Sequence, residues 1–441
     1  MDAELLEALD DWLRIPSVST EGGDAAALAA AADWAVSRVL AAGGTAEVVV
    51  IGSGNPLVVG ELRAADPGAP TVLIYGHYDV QSTGPLDAWA SPPFEPETRD
   101  GRLYARGASD DKGNFLPLLH VACAMAEAGE LPVHVRVLIE GEEEANGDAV
   151  GTWIRDDERG ADVAIVFDSG MADPDTPAIT VGLRGMVAAG VEVTTAERNL
   201  HSGLFGGSVL NALHVLHGAL ANVLPDAEGR VPASLRVGVR EPAPAEISSW
   251  ERLMPGAQAI AGVGGRPVSP GAGREFYART GAEPALDVNF LGGGERRTVV
   301  PAAAEAAVTL RLAPGQDPAA MRTELERLLR TGLPDGADLA LDFHTAAAAL
   351  FDVEEPALQL AAEALTRACG VQPVFVRSGG SIPIVAAMAA QGCPVIVSGF
   401  GLPEDAIHAP DESFSLRSLE WGAAAARELY ISLAELPPRE R

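Results

Sequence analysis

Cysteine is scarce in this chain: Cys123, Cys369 and Cys393 lie far apart and form no CxxC pair. An odd, sparse set excludes a disulfide framework and points to a reducing compartment. The start, Met1-Asp2-Ala3-Glu4-Leu5-Leu6, has neither a basic stretch nor an apolar core, so it does not read as a signal peptide. Long apolar runs are missing too. Val121 to Ala126, for example, is bounded by His120 and Glu127, whereas a membrane helix needs about 20 apolar residues. The cytoplasm is therefore the expected location. Positive charge is in short supply, with 31 Lys and Arg against 62 Asp and Glu and a formal charge of −31. Such a field repels nucleic acid and anionic membranes and attracts cations, so neither of the first two is an expected partner. No Gly-x4-Gly-Lys-Ser/Thr loop, Gly-x-Ser-x-Gly elbow or His-Glu-x-x-His helix occurs. That removes phosphate-loop, serine-hydrolase and single-zinc readings.

With 441 residues, 47% hydrophobic and 21% charged, the chain is long enough for a large core divided over more than one domain. Leu5, Leu6, Leu9, Trp12 and Leu13 recur at helical spacing, and an alanine-rich helix over 25–42 ends at Gly43-Gly44. Strand-like runs at 46–51, 71–75, 133–139 and 163–167 then alternate with helices at 115–128 and 150–155. That alternation predicts an α/β layer with a mostly parallel sheet. After Arg184 the pattern changes to half-buried strands at 186–194, 303–312 and 338–343, with helices near 209–224 and 318–329. The Pro/Gly-rich stretch 241–282 reads as loop. Helix–strand alternation resumes after 347. The expectation is one α/β domain formed by 1–184 and 347–441, interrupted by an α+β domain at 185–346.

The chemistry begins where the apolar run Thr71-Val72-Leu73-Ile74-Tyr75 gives way to Gly76-His77-Tyr78-Asp79-Val80-Gln81. In an extended chain His77 and Asp79 point the same way, and an imidazole with an adjacent carboxylate is how a metal ligand is held by its orienting partner. Alone, such a pair is ordinary. Downstream, Arg106-Gly107-Ala108-Ser109-Asp110-Asp111-Lys112-Gly113 flanks an acidic pair with glycines that permit a tight turn. The run Glu140-Gly141-Glu142-Glu143-Glu144 follows a strand, and Asp168 ends another. That is the edge where open α/β sheets place their sites. His408 lies in a loop after the last strand-like run. His77, Asp110, Glu144, Asp168 and His408 together offer two imidazoles and three carboxylates, a mixed set suited to zinc or manganese. Five ligands around one ion leave no open position. Shared between two ions about 3.5–4 Å apart by a bridging carboxylate, they leave room for water, and Glu143 beside Glu144 is a candidate general base. His120, His134, His214, His217 and His344 sit in helix or strand segments and read as structural.

These stretches, in order, resemble the M20 family of metallopeptidases, and most of all its carnosinase/cytosolic dipeptidase branch. The resemblance is carried by Gly76 to Gln81, Trp89 with Pro92-Pro93-Phe94, Gly107 to Gly113 and Glu140 to Glu144. It continues through Gly182-Leu183-Arg184-Gly185, Leu200 to Gly207, Leu310-Arg311-Leu312-Ala313-Pro314, Gly379-Gly380-Ser381-Ile382-Pro383 and His408. It implies two divalent ions per subunit, zinc first and manganese second, with His77 and Asp168 on one and Glu144 and His408 on the other. Asp110 would bridge them, with a cis peptide to Asp111. Asp79 would orient His77, and Glu143 would act as the base. The inserted domain would be a lid and dimerisation domain in a homodimer. Its His201 would reach the partner subunit's site to stabilise the oxyanion. Arg311, Gly380 and Ser381 would hold the carboxylate of a small peptide substrate.

The implied reaction is hydrolysis of a dipeptide amide by activated water. Two other readings remain: an N-acyl amino acid deacylase of the aminoacylase or desuccinylase kind, and a peptide-binding pseudoenzyme. Tyr78 and Gln81 favour the dipeptidase, and the intact ligand set disfavours the pseudoenzyme. The chain departs from the branch at Ala145-Asn146-Gly147, and at Ser378, where a Glu precedes the double glycine in carnosinases. Carnosine is therefore not presumed as the substrate.

Overall fold

Four strands lie side by side and run parallel in the order His134–Glu140, Thr71–His77, Val163–Phe167 and Val395–Ser398. Apart from Thr71 every residue in them is buried. Their continuous Val, Ile and Leu content suits strands covered on both faces. This is the computed structural model of the protein, which describes residues 2–145, 147–380 and 382–437. Leu57–Leu62 pairs antiparallel with His134–Glu140, and Thr45–Val49 extends that edge. The sheet is therefore parallel at its centre and antiparallel at its flank. The register places His77 opposite Glu140 and Ser398 opposite Phe167. The carboxyl ends of all four strands thus lie along one edge of the sheet, the position favoured for sites in open α/β sheets. No helix among the described residues is long and apolar enough to cross a membrane.

Two compact units divide the described chain. One comprises Met1–Val181, Phe351–Phe375 and Ala387–Arg441, and the other Gly182–Leu350 and Val376–Ala386. In the first, Asp2 caps the helix Ala3–Leu13 by accepting from the backbone N–H groups of Glu4 and Leu5. The helix buries Leu5, Leu9, Trp12 and Leu13 on one face. Lys112, the only lysine in the chain, is fully buried and donates to the carbonyls of Trp12 and Ile15 at 3.0 Å each. Burial pushes its amine down to about 7. Those two bonds tie the end of the first helix to the start of the helix Lys112–Glu127.

Two loops of the first unit are locked together through buried carboxylates. Glu412 Oε2 accepts from Arg106 Nη1 at 2.7 Å and Gly107 N at 2.9 Å. Its Oε1 accepts from Ser109 N at 2.9 Å and Asp110 N at 3.1 Å. Asp405 accepts from Ser109 Oγ at 2.7 Å and Leu402 N at 2.8 Å, and pairs with Arg102. The segment carrying His408 is thereby fixed against the one carrying Asp110.

The second unit holds a four-stranded antiparallel sheet in the order Ala285–Gly293, Ala303–Leu312, Gly185–Thr194, Asp338–Ala346. Val187, Ala189, Val191 and Val193 alternate onto the covered face. The helices Ala212–Ala221 and Pro318–Leu329 pack there, giving a β-α-β-β-α-β arrangement. Ala285–Gly293 is an edge strand missed by the alternation argument, because most of its residues are exposed. The stretch 241–282 is not plain loop. Pro244 starts the helix Pro244–Trp250 and Pro255 caps Gly256–Gly262, since proline is suited to a first turn. Arg377 anchors that region, donating to Glu246 at 2.6 and 2.9 Å and to the Arg240 carbonyl at 3.0 Å, all largely out of solvent.

Glu412→Ala leaves a fully buried guanidinium without its carboxylate and three backbone N–H groups unpaired. It should destabilise the protein by about 3–5 kcal/mol. Replacing Arg106 as well, in Arg106→Met/Glu412→Leu, should recover part of that loss, as read from urea unfolding midpoints.

Candidate metal centre

His77 ends its strand fully buried. Its Nδ1 lies 3.0 Å from the backbone carbonyl of Asp79. The carbonyl can only accept, so Nδ1 carries a proton and Nε2 is the nitrogen left to ligate. It faces Asp110 Oδ1 at 3.0 Å. The other oxygen of Asp110, Oδ2, lies 2.9 Å from His408 Nε2, which is also 3.1 Å from Glu144 Oε1. One imidazole nitrogen holds at most one proton and cannot satisfy two oxygens. Glu144 Oε1, although that close, accepts no well-aligned hydrogen bond, and Asp111 Oδ1 is buried without a partner. A cation resolves these conflicts: donors each about 2.0–2.2 Å from a zinc ion stand about 3–3.5 Å from one another. His77, Asp110 and Asp168 offer donor atoms within 4.8 Å of one another, as do Asp110, Glu144 and His408. Asp110 belongs to both sets. The residues present fit a pair of divalent ions sharing one carboxylate.

The electrostatics agree. The hydrogen bond to Asp110, and then the close Glu144 carboxylate, push His408 up to about 10. Burial pulls His77 down, but Asp110 and Asp79 outweigh it and raise the imidazole well above its usual range. Burial, reinforced by the charges of Asp110, Glu143 and Glu144, pushes Asp168 up to about 7. Burial likewise lifts Glu143, with Glu144, Asp110 and Asp79 adding to it against His77. Carboxylates this crowded need positive charge among them.

Asp79 does more than face His77. Its Oδ2 accepts from Ser19 Oγ at 2.5 Å and Glu144 N at 3.1 Å, and its Oδ1 from Glu143 N at 3.3 Å. One buried carboxylate thus fixes the turn bearing Glu143 and Glu144, while its own backbone carbonyl sets the tautomer of His77. Gln81 Nε2 donates to Glu144 Oε2 at 2.9 Å and aims the other oxygen at His408. Neither the Ser19 contact nor the Gln81 contact was legible as a role. Gln81 stood out only as part of a motif, and Ser19 lies 60 residues from Asp79. Gly76 is required here, because a Cβ would come within 2.4 Å of the Phe115 ring and 2.6 Å of Asp111 Oδ2. The Asp110–Asp111 peptide is cis. Beside Asp110 and Asp168 opens a cleft of about 260 Å³.

The remaining sequence candidates lie in the second unit. His201 is exposed at the end of Leu200–His201, its Nδ1 accepting from Gly203 N at 3.1 Å. Arg311 lies in Ala303–Leu312, opposite Ala285 and Met186. Gly380 N donates to Ser378 Oγ at 3.2 Å. Ser381 lies outside the described residues. Arg184 was read only as part of a motif. It is buried, donates from Nη1 to the Thr280 carbonyl at 2.7 Å, and is pushed down to about 10 by burial and the nearby Arg311.

The chain is 29% identical to a cysteinylglycine-S-conjugate dipeptidase of Corynebacterium striatum, over 82% of this chain and 81% of that protein. It is 27% identical to the Cys-Gly metallodipeptidase dug1 of Schizosaccharomyces pombe, over 99% and 96%. In fold it is similar to the M20 family metallo-carboxypeptidase Sso-CP2 from Sulfolobus solfataricus (TM-score 0.83, 24% identity, 99% and 100% covered). It is also similar to human carnosine dipeptidase 1 (TM-score 0.75, 24% identity, 98% and 96% covered). The model of peptidase family M20/M25/M40 matches residues 73–431, and the chain belongs to that family.

Proposed function

We propose that the protein is a two-metal dipeptidase. The observation that carries this reading is Asp110, whose two oxygens face two separate imidazoles, each within a distinct donor set. His77, Asp110 and Asp168 would hold one ion, and Asp110, Glu144 and His408 the other. Zinc suits the mixed nitrogen and oxygen donors best, with manganese next. When bound, such ions supply Lewis acidity toward water and toward the scissile carbonyl. The relatives named as dipeptidases support a small peptide as substrate.

The chain's own residues do the proton work. Glu143 stands beside both donor sets without belonging to either. It takes a proton from the attacking water and returns it to the leaving amine. Asp79 holds Glu143 in place through its backbone N–H and keeps His77 in the ligating tautomer. His201, with Nδ1 accepting from Gly203, carries its proton on an exposed Nε2 suited to meeting an oxyanion. Arg311 and the Gly380–Ser381 segment are assigned to the substrate carboxylate, which guanidinium groups recognise well. The second unit is assigned to dimerisation. In its support, the edge strand Ala285–Gly293 exposes Phe290 (52%) and Leu291 (60%), a surface a second copy would cover.

Glu143→Ala should keep about two metal ions per chain by mass spectrometry and lose about 10²–10⁴ in kcat. Near-normal turnover would remove Glu143 from the reaction. The same assay run on dipeptides beside N-acetyl and N-succinyl amino acids decides against the dipeptidase if only the acylated compounds are cleaved. Gln81→Ala frees Glu144 to rotate and should weaken metal binding about 10–100-fold in chelator competition, with Gln81→Glu failing to rescue. Finally, Glu143→Ala and His201→Ala subunits, each inactive alone, should regain activity when unfolded and refolded together. No recovery in confirmed mixed dimers would show that His201 does not act across subunits.

A further inference from the structure

We propose that Lys112 is a positioning residue of the metal centre. It seats the N-terminal stretch 12–20 against the loop 78–82, and through that loop it holds donors of both sets. This deepens the two-metal reading and rests on it. Lys112 begins the helix Lys112–Glu127, two residues after Asp110. Its hydrogen bonds go to the N-terminal segment: Nζ donates to the Trp12 and Ile15 carbonyls at 3.0 Å each and lies 5.6 Å from the centre of the Trp12 ring. The last carbonyls of a helix lack partners within it, and an amine can collect more than one. The other 30 basic residues of the chain are all arginine. Two carbonyls suit a compact amine, whereas the five donors of a guanidinium would leave several unpaired in a place closed to solvent. The acids whose charge reaches Nζ are Asp79 and Glu412. One clamps the Glu143–Glu144 turn and the other the Asp110 loop, so Nζ lies in the field of both clamps.

From Ile15 onward the chain runs beside the loop that follows His77. Ser17 Oγ donates to the Tyr78 carbonyl at 2.6 Å, and Val80 N donates to the Ser17 carbonyl at 2.9 Å. Val18 and Val80 form a parallel bridge, with Ser19 N donating to the Val80 carbonyl at 3.3 Å. Ser82 N donates to Thr20 Oγ1 at 3.0 Å, and Ser19 Oγ to Asp79 Oδ2 at 2.5 Å. The loop so gripped carries Asp79, which sets the His77 tautomer, and Gln81, which aims Glu144. The Asp110 loop packs on it too, because a Cβ on Gly107 would come within 2.6 Å of Val80 Cγ1. The contacts close a ring of chain segments, from Asp110 to Lys112, to 12–20, to 78–82 and back to His77. Without the Nζ bonds that ring is open, and Asp79 and Gln81 lose the backing that aims them. Groups that orient a ligand from outside cost about 10–100-fold in metal affinity when they are lost.

The test is zinc affinity of the full chain by chelator competition, with urea unfolding of the metal-free protein beside it. Lys112→Met keeps the bulk, removes the donors and should weaken zinc binding about 10–100-fold. Lys112→Gln keeps a shorter donor and should fall between that variant and wild type, which also serves where Lys112→Met does not fold. Ser19→Ala, on the far side of the ring, should weaken zinc binding as well. The double variant Lys112→Met/Ser19→Ala should lose less than the product of the two single losses, because both act through one loop. His120→Ala is the control. It removes the 3.1 Å contact that tethers Asp2 at the start of the same N-terminal helix, so it should lower the unfolding midpoint and leave zinc affinity as it was. Lys112 variants that bind zinc as wild type does, whatever their unfolding midpoints, overturn the proposal. So does a His120→Ala variant that loses as much zinc affinity as Lys112→Met, since the effect is then general loosening of the helix. In both cases wild type still binds its ions and the two-metal reading survives. A wild type that binds no zinc or manganese overturns that reading itself.

Discussion

Crowded negative charge at the carboxyl edge of a parallel sheet governs this structure. Asp79, Asp110, Glu143, Glu144 and Asp168 come together there, with His77 and His408 among them. Left to themselves, such carboxylates repel one another and resist burial. The fold nevertheless fixes them within a few ångströms. That arrangement is stable only where positive charge is shared among the oxygens, and Asp110 is the point of sharing. Its two oxygens look toward different imidazoles, so neither histidine can be satisfied independently of the other.

The surrounding structure holds this arrangement with a second tier of buried acids. Glu412 gathers the backbone N–H groups of Gly107, Ser109 and Asp110 together with the Arg106 guanidinium. Asp405 clamps Ser109 and Leu402, and Asp79 clamps the Glu143–Glu144 turn to the N-terminal Ser19. In each case a charged acceptor orders main-chain donors, which is stronger than a neutral hydrogen bond and fixes direction as well as distance. The acids of the site are thus positioned by further buried acids, and Asp79 belongs to both groups.

Much of this was legible in the sequence, for a physical reason. His77, Glu144 and Asp168 each follow a short run of buried strand residues, and the chain must turn where such a run ends. Polar residues at those turns fall on one edge of a parallel sheet whatever their separation in sequence. Asp110 and His408 lie in loops, which carry no periodicity; the glycine-flanked acidic pair and the position after the last strand marked them as candidates, and the family resemblance gave them their expected roles. The clamps were not legible at all. Asp79 meets Ser19 across 60 residues and Glu412 meets Gly107 across 305, and nothing local in a buried carboxylate names its partner. The helices within 241–282 were hidden by their prolines, which break helices in the middle but start them at the end. The edge strand Ala285–Gly293 was hidden because few of its residues face the core.

Glu142, Glu143 and Glu144 show how little residue type alone decides. Gly141 sets their register, since a Cβ there would lie 2.2 Å from the Tyr78 hydroxyl oxygen. Glu142 turns inward and accepts from Asn55 N at 2.8 Å and Ala149 N at 2.9 Å, joining a loop to the first turn of the helix Ala149–Asp156. Glu144 is gripped by Gln81 on one oxygen and faces His408 with the other. Glu143, between them, is held by its backbone and lies in the field of both donor sets. Shifting the register by one residue would put the loop-joining carboxylate beside Asp110 and His408 and the Gln81-bound one in the loop, breaking both sets of contacts. The placement of Glu143 and Glu144, on which their proposed roles as base and ligand rest, is therefore set by a glycine against a tyrosine.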